Sequence, residues 1–337
     1  MRVELWVTGG IGCGRRARVM PTTIRRIVAV VSAVVLVVLV TSPADAVSQV
    51  RPWRVVDLGI DGFAIPHAIN DRGHVVGEIY SPGHTRAFFW RDGKLVDLNV
   101  GGVESAAFDV NNQDAVVGYR TNERNEPRAF LWQNGRTTDL GVLPGGWVST
   151  ATAINDRGLV VGSSNVADNY GEHAFLWRNG VMSDLSNEPY SGARDINDAG
   201  QVVGSNGAGA CYWWHGQTKQ LPAGAFVATG NNAFGAITGI HYVSGGLQSG
   251  FVWLPWGQYI AIPKPPSTDP AWDFLTPESI NDRMQVVGSS HLGAWVWEHG
   301  QVTILPSDST DAWAFDINER GDITGLGSSR HAVIWTR

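Results

Sequence analysis

The chain has 337 residues, of which 41 are glycine and 15 are tryptophan, and only 17% are charged. This composition excludes a disordered or collagen-like chain, and the length is sufficient for one large all-β domain. The formal net charge of −6 argues against nucleic acids and anionic membranes as partners.

Residues 1 to 46 have the features of a signal peptide. Arg25 and Arg26 precede an apolar run at 27-40, and Ala44-Asp45-Ala46 offers a small-x-small cleavage site. The run is shorter than the roughly 20 residues that a membrane span needs, and it fits the apolar region of a secretory signal. We therefore expect a secreted, extracellular protein, with anchoring in a membrane through residues 27-40 as the alternative.

Met20 would begin a signal peptide of ordinary length, so residues 1 to 19 are interpreted as an overextension of the reading frame. Cleavage of the leader near Val47 removes six arginines and two acids and leaves 19 basic and 29 acidic residues, a net charge of −10. Cys13 leaves with the leader, and Cys211 then has no partner for an intrachain disulfide. Packing and ring closure must therefore stabilise the fold.

Residues 47-337 are built from a motif that occurs seven times, most clearly in the third copy. There, Ala151-Ile154 is a predicted strand, Asn155-Gly158 a tight turn and Leu159-Gly162 a returning strand. Two further strands are predicted at His173-Trp177 and Val181-Leu185. The turn asparagines recur at spacings of 41, 44, 42, 35, 49 and 37 residues, as Asn70, Asn111, Asn155, Asn197, Asn232, Asn281 and Asn318. Such spacings are typical of the blades of a β-propeller.

Two further landmarks share this frame. A glycine follows each asparagine after seven residues, at Gly77, Gly118, Gly162, Gly204, Gly239, Gly288 and Gly325. A tryptophan then follows in each repeat, at Trp90, Trp132, Trp177, Trp213, Trp253, Trp297 and Trp335. We expect these tryptophans to pack between neighbouring blades, because large aromatic side chains dominate core packing.

The seventh repeat lacks a fourth strand, whereas Val55-Gly59, ahead of the first asparagine, matches Thr138-Gly141. This displaced strand predicts that Val55-Gly59 pairs with the strand around Ala332-Trp335 and closes a ring, which protects strand edges. The predicted fold is an all-β, seven-bladed β-propeller of four-stranded blades. Its repeats lie at approximately 60-98, 99-140, 141-185, 186-221, 222-262, 263-305, and 306-337 plus 53-59.

Loop length varies on only one face of the predicted ring. Both hairpins of each blade have nearly constant length, whereas the other two connections vary, and variable loops on a rigid scaffold commonly carry function. Six aromatic residues outside the anchors fall on this face and are ligand-binding candidates: Trp147, Trp272, Trp313, Tyr80, Tyr170 and Tyr242. Their flat amphipathic rings suit a sugar or a protein partner; packing over neighbouring blades is the alternative.

A second candidate set lies three residues before the turn asparagine. His67, Arg194 and Glu278 occupy this position, where other repeats have Phe108 and Phe315. A charge in place of a packed phenylalanine needs water or a partner. The three residues are therefore predicted to form a site at the channel mouth, and exposure near the strand end is the alternative.

Positions two and four before the asparagine form a third set. They hold small residues such as Ala151 and Ala153, and they include Asp109, Asp195 and Asp316. Strand alternation predicts that these side chains share one face, where the bulk of the neighbouring blade approaches.

Metal and cofactor chemistry is not predicted. Each Asn-Asp turn offers only two side-chain oxygens, fewer than calcium requires, and Asn and Asp satisfy the backbone of their own turn. The histidines lack metal-ligand spacing, and nucleotide-binding and hydrolase motifs are missing. Four strand aspartates are interpreted as local hydrogen-bond devices, since three blades lack them: Asp57, Asp97, Asp139 and Asp184.

The third repeat, Ile154-Gly162 followed by His173-Ala-Phe-Leu-Trp177, resembles the HAF repeat family of extracellular repeat proteins. The resemblance extends over Val55-Trp335. It departs at the position of His173. The seventh repeat also has a histidine there, His331, whereas the other repeats have Arg86, Arg128, Gly209, Ser249 and Gly293. The resemblance implies an extracellular location and a repeat fold, and it supplies no catalytic residues.

These patterns predict an exported, monomeric scaffold that binds a glycan or a protein at or outside the cell surface. A propeller enzyme of lyase or lactonase type, with its site at the channel mouth, is the alternative. A purely structural repeat of the cell envelope is a third possibility. Binding is favoured over catalysis, although an enzyme site of a propeller is assembled from different blades and needs no linear motif. No catalytic residue is assigned.

Overall fold

The computed structural model describes residues 51–167, 171–186, 188–242, 248–265 and 274–337. The predicted signal peptide at 1-46, the alternative start at Met20 and the alternative anchor at 27-40 lie outside these residues. In the described part of the chain, no helix combines the length and the apolar character that a membrane span requires.

The described residues form 28 strands arranged as seven antiparallel sheets of four strands, so the fold is the predicted seven-bladed propeller. Strand β1 spans Arg54–Asp57 and belongs to the last blade. Blade 1 contains β2 (Phe63–Ile69), β3 (Val75–Ser81), β4 (His84–Arg91) and β5 (Lys94–Asp97). Blade 2 contains β6 (Ser105–Val110), β7 (Val116–Thr121), β8 (Pro127–Gln133) and β9 (Arg136–Asp139). Blade 3 contains β10 (Ser149–Ile154), β11 (Val160–Asn165), β12 (Glu172–Arg178) and β13 (Val181–Asp184).

The remaining blades repeat this order. Blade 4 contains β14 (Gly192–Ile196), β15 (Val202–Asn206), β16 (Gly209–Trp214) and β17 (Gln217–Gln220). Blade 5 contains β18 (Ala225–Asn231), β19 (Ile237–Tyr242), β20 (Gln248–Trp253) and β21 (Tyr259–Ala261). Blade 6 contains β22 (Leu275–Ile280), β23 (Val286–Ser290), β24 (Gly293–Glu298) and β25 (Gln301–Ile304). Blade 7 contains β26 (Trp313–Ile317), β27 (Ile323–Leu326), a 3₁₀ turn (Ser328–Arg330), β28 (Ala332–Thr336) and β1.

The closing contact joins the two ends of the propeller as the sequence predicts. Strand β1 runs antiparallel to β28, with Val55 opposite Trp335 and Asp57 opposite Val333. Asp57 also contacts the ring of His331, with 2.8 Å between Oδ2 and Nδ1. The N-terminal strand therefore completes the seventh blade through backbone pairing and a side-chain contact.

The contact between Asp57 and His331 recurs in other blades and explains the histidine position of the repeat. Arg86 lies 3.2 Å from Asp97, and His173 lies 2.6 Å from Asp184. Each of these aspartates also accepts a backbone N–H two residues later, which confirms the interpretation as a local hydrogen-bond device. The three blades without the aspartate also lack the cation, as Gly209, Ser249 and Gly293 show.

The anchor tryptophans pack against the preceding blade. Trp132 of blade 2 meets Phe89 of blade 1 edge-on, with 5.9 Å between ring centroids. Trp335 of blade 7 is fully buried in one cluster with Val287 and Val296 of blade 6. Burial of such rings supplies much of the favourable free energy that holds adjacent blades together.

Every first strand carries a β-bulge three residues before the turn asparagine, and the sequence pattern did not reveal it. In blade 3 the register shifts between Ala151 and Ala153, so Thr152 is the extra residue. The repeated glycine makes this geometry possible, because a Cβ on Gly162 would lie 2.0 Å from the carbonyl oxygen of Thr150. The bulge breaks strand alternation and turns the extra residue toward the centre of the ring.

The turn asparagines form a closed circuit of hydrogen bonds. In blade 3, Oδ1 of Asn155 accepts the N–H groups of Arg157 and Leu159, which is the predicted local role. Its Nδ2 also donates to the carbonyl oxygen of Asn197 in the next blade, at 3.0 Å. The same bond runs from each turn asparagine to the next and ends with Asn318 donating to Asn70 at 2.9 Å. Each asparagine is therefore both a turn residue and a link between blades.

The residue after each asparagine forms a second, incomplete circuit. Asp156 accepts the backbone N–H of Asn112 at 2.8 Å, and Asp71 accepts that of Glu319 at 2.8 Å. Ala233 of blade 5 has no side-chain oxygen and interrupts this circuit. The carboxylates of these turns therefore bind backbone groups of neighbouring blades.

The asparagine circuit predicts a large difference between two neighbouring substitutions. Asn155→Ala removes one buried and two partly buried hydrogen bonds, so we expect the free energy of unfolding to fall by about 2–4 kcal/mol. Asp198→Ala is the control, because it removes one exposed bond to the N–H of Asp156 and should cost less than about 1 kcal/mol. Denaturant unfolding of both variants measures the difference. Equal losses would contradict a structural role for the circuit.

Candidate functional site

The antiparallel order of each blade defines two faces of the propeller. We call the face that carries the asparagine turns the hairpin face. The connections between second and third strands, and between blades, lie on the opposite side, which we call the loop face. The first strand of each blade lines the central channel between them.

The seven bulge residues meet in one cavity on the loop side of the channel. This cavity has a volume of about 640 Å³ and contains His67, Phe108, Thr152, Arg194, Thr229, Glu278 and Phe315 in its lining. A smaller space of about 120 Å³ continues past the same residues. The structure thus brings the predicted residues His67, Arg194 and Glu278 together. Thr152 and Thr229 escaped prediction because threonine is an ordinary strand residue.

We call the seven bulge residues, which surround the channel, the bulge ring. They divide into two arcs of different chemistry. Blades 7, 1 and 2 contribute Phe315, His67 and Phe108, and the His67 ring lies 6.2 Å and 5.0 Å from the two phenylalanine centroids. We call these three residues the aromatic arc. Blades 3 to 6 contribute the polar arc, which consists of Thr152, Arg194, Thr229 and Glu278. A ligand in this cavity therefore meets rings on one side and hydrogen-bonding groups on the other.

The orientation of His67 is fixed from behind by a buried carboxylate. Its Nε2 lies 3.2 Å from Oε1 of Glu78, and the hydroxyl of Tyr80 donates to the same oxygen at 3.1 Å. Burial, followed by the charge of Glu78, raises the pKa of Tyr80 to about 12. The phenol therefore stays protonated and keeps donating at neutral pH.

Glu278 is the carboxylate of the polar arc. Burial raises its pKa to about 7, and the positive charge of Arg194 partly opposes this effect. Near neutral pH this carboxyl is thus a mixture of its protonated and ionised forms. It can donate or accept a hydrogen bond, and a proton transfer at this position is chemically accessible.

Three half-buried aspartates beneath the bulge ring have a structural role that corrects the sequence interpretation. The sequence predicts them as small residues that simply face the neighbouring blade. Instead, Oδ2 of each accepts a backbone N–H of the following blade, at 2.7 Å for Asp109, 2.8 Å for Asp195 and 2.9 Å for Asp316. Burial raises the pKa of Asp109 well above its ordinary value and that of Asp195 to about 6. The three carboxyls fasten blade 2 to 3, 4 to 5 and 7 to 1.

The four predicted loop-face aromatic residues that the structure describes do not form one patch. Trp313 is half exposed, and its ring lies 6.2 Å from that of Phe315. Tyr242 packs against Phe226, at 4.7 Å between centroids. Trp147 lines a different cleft, described below. Trp272 and Tyr170 lie outside the described residues, so their placement stays a prediction.

The other end of the channel is a shallow cavity of about 280 Å³ on the hairpin face. Its lining includes six of the seven turn asparagines, the carboxylates of the turns and a layer of isoleucine and valine residues. Among the residues that the structure describes, His, Cys, Asp and Glu do not form any group of three or more that could hold a metal ion. Because the turn carboxylates accept backbone N–H groups of neighbouring blades, this end of the channel has a structural role.

Comparisons with known proteins support the fold alone. No protein-family model matches the chain, and no curated protein sequence matches it. It is similar to an acylaminoacyl peptidase from Pyrococcus horikoshii, with a TM-score of 0.50 and 13% identity, over 83% of this chain and 52% of the peptidase. It is also similar to the extracellular domain of a one-component system from B. thetaiotaomicron, with a TM-score of 0.50 and 10% identity, over 85% of this chain and 40% of that one. A gluconolactonase from Xanthomonas campestris gives a TM-score of 0.43 and 11% identity, over 84% and 89% of the two chains.

The pKa of Glu278 predicts a pH-dependent stability difference. Because the folded-state pKa of about 7 exceeds the ordinary glutamate value of 4.5, the native state binds the extra proton, and stability is lost as pH rises through about 7. Glu278→Gln should therefore be more stable than the unsubstituted protein at pH 8, by about 1–2 kcal/mol for this half-buried group, and similar to it near pH 4.5. Denaturant unfolding at several pH values measures this difference.

Glu172→Gln is the matched control for this measurement, because Glu172 lines the same cavity but is exposed. It should not raise stability at pH 8, because it removes an exposed carboxylate. Identical pH profiles for Glu278→Gln and the unsubstituted protein would contradict the buried state assigned to Glu278.

Proposed function

We propose that this protein is an exported binding scaffold that holds a sugar ring of a glycan in the loop-side cavity of its channel. The division of the bulge ring into an aromatic arc and a polar arc carries the proposal. A pyranose has C–H groups on its faces and hydroxyl groups around its edge. Phe108 and Phe315 suit the C–H face, while the polar arc supplies donors and acceptors for the hydroxyls.

The dimensions of the cavity agree with a small ligand group. Its volume of about 640 Å³ lies within the roughly 300–1,000 Å³ of typical ligand pockets. A folded protein partner would have to bind through the exposed loop face, where Trp147, Trp313 and Tyr242 are apart from one another. The side chains that could recognise a ligand converge inside the channel. This arrangement favours the end of a glycan chain as the ligand over the surface of a folded protein.

Export of a monomer is part of the proposal and rests on the leader at residues 1 to 46. The acidic mature chain supports a role away from nucleic acids and anionic membrane surfaces. In a closed ring every blade also has a neighbour on both sides, so the fold needs no second subunit for its stability.

One observation favours a second function, catalysis in the same cavity by an enzyme of lyase or lactonase type. Glu278, whose pKa is near neutral, shares the cavity with His67, which Glu78 holds in place. Such a pair of titratable groups suits general acid–base chemistry. Chromatography of a bound glycan after long incubation distinguishes the two functions, since cleavage that Glu278→Gln abolishes identifies an enzyme.

The binding proposal predicts which substitutions weaken affinity. After a glycan array has identified a ligand, Phe315→Ala and Arg194→Gln should each weaken binding about ten-fold, which corresponds to about 1.4 kcal/mol. Calorimetric titration measures this loss. Phe226→Ala is the control, because Phe226 is an exposed aromatic residue that does not line the cavity.

Three outcomes would count against the binding proposal. Undiminished affinity in folded Phe315→Ala and Arg194→Gln variants would move the site out of the channel. An equal loss in Phe226→Ala would indicate a general effect of loop-face aromatic residues. Failure to bind any glycan would favour a structural role in the envelope.

A further inference from the structure

A cleft between blades 2 and 3 on the loop face has a composition that sets it apart from the channel. It has a volume of about 990 Å³ and is lined by Arg120, Arg124, Arg128, Asn122, Glu126 and Trp147, among others. We call it the basic cleft. None of the seven bulge residues lines it, so it is separate from the channel cavity.

The floor of the basic cleft has more guanidinium groups than carboxylates to neutralise them. Arg120 on β7 lies directly opposite Arg128 on β8. Both guanidinium groups contact the same carboxylate. Nη2 of Arg120 lies 3.7 Å and Nη2 of Arg128 lies 3.3 Å from the carboxylate of Asp139. Like charges opposite each other destabilise a sheet. In addition, the Nε atoms of both arginines are buried without a hydrogen-bond partner. An anionic group bound by these guanidinium groups would neutralise the excess positive charge.

Comparison with the other blades shows that this excess charge is specific to blade 2. In blade 1, Arg86 pairs with Asp97, and the residue opposite Arg86 is Ile79. In blade 3, His173 pairs with Asp184, and the residue opposite is Ser164. These blades have one cation for each carboxylate at this level. Arg120 therefore adds a second cation that the repeat does not require.

The acidic residues of the cleft do not neutralise this pair. Glu126 accepts a hydrogen bond from Nδ2 of Asn122 at 2.8 Å, and Glu123 is exposed at the tip of the loop. In the part of the chain that the structure describes, neither glutamate forms an ion pair with Arg120, Arg124 or Arg128. The floor of the cleft thus remains the more attractive position for an anion.

Trp147 presents an exposed ring at the edge of this cleft from a firmly held loop. Its side chain is 39% exposed. The backbone N–H groups of Trp147 and Val148 both donate to Oδ1 of Asn165, at 2.8 Å and 2.9 Å. A Cβ on Gly146 would lie 2.1 Å from the carbonyl oxygen of Asn165, so glycine is needed for this close approach. The indole ring is preorganised beside the arginines, which lowers the entropic cost of binding.

We propose that the basic cleft is a second glycan-binding site, which takes an acidic sugar that carries a carboxylate or a sulfate. The anionic group binds the guanidinium groups of Arg120 and Arg128, and the sugar ring stacks on Trp147. A guanidinium binds carboxylates and tetrahedral oxyanions through paired hydrogen bonds, and an indole binds the C–H face of a sugar. This site does not depend on the function proposed for the channel.

The test measures binding of the purified protein to galacturonate oligosaccharides, low-mass dextran sulfate and neutral dextran. We expect binding to at least one acidic probe, and the stronger of the two identifies carboxylate or sulfate as the ligand group. Arg128→Gln and Trp147→Ala should each weaken that binding at least ten-fold, while thermal unfolding shows that both variants fold. Arg128→Gln leaves Asp139 in contact with Arg120, so folding should persist.

Arg86→Gln is the control, because it removes an arginine from the equivalent position of blade 1, where the side chain is 54% exposed against 24% for Arg128. It should leave binding unchanged, as should Phe315→Ala in the channel. Equal weakening by Arg86→Gln and Arg128→Gln would reduce the effect to diffuse surface charge and overturn the proposal. So would failure of the unsubstituted protein to prefer either acidic probe over neutral dextran. Loss of acidic-probe binding in Phe315→Ala would place that ligand in the channel and likewise overturn a separate site.

Discussion

The closed circuit of turn asparagines is the constraint on which the rest of the structure depends. Each Nδ2 donates to the carbonyl oxygen of the next turn, and the bond from Asn318 to Asn70 returns to the start. Such a chain of buried bonds satisfies every member only if the ring has no open end. Closure by β1 and the asparagine circuit therefore both require that blade 7 stays in contact with blade 1, because both are lost if these blades separate.

The circuit also determines where chemistry can vary. Near the hairpin face, the asparagines and the carboxylates that follow them bind backbone groups of neighbouring blades. Three residues earlier, the bulge turns one side chain of each blade into the channel, where neither the circuit nor the core restricts its identity. Phenylalanine, histidine, threonine, arginine and glutamate all occur there. The hydrogen-bonded hairpin end of the channel is thus rigid and supports a cavity of variable lining at the loop end, as is common when a scaffold presents a binding site.

The sequence predicts the blades, their four strands and the shared seventh blade because these follow from local spacing. It also predicts that Arg194 and Glu278 are unusual, since they depart from the phenylalanine of other repeats. Two features need contacts between blades and were missed: the asparagine circuit and the role of Asp195, whose partner is the N–H of Asn231. The bulge was missed as well, although the glycine seven residues after each asparagine was a signal of it. The excess positive charge that Arg120 adds was also missed, because it becomes apparent only from the strand register, which places Arg120 opposite Arg128.

Native-state hydrogen exchange of the turn amides tests most directly whether the propeller is one unit held by this circuit. The relevant amides are those four residues after each asparagine, such as His74 in blade 1, which donate to the asparagine side chain in all seven blades. If the circuit closes the ring, these amides in all seven blades should exchange with one common free energy, equal to that of global unfolding. Exchange of the blade 7 turn, or of the divergent blade 5 turn, at a free energy several kcal/mol lower would show that a blade opens independently and would contradict the account.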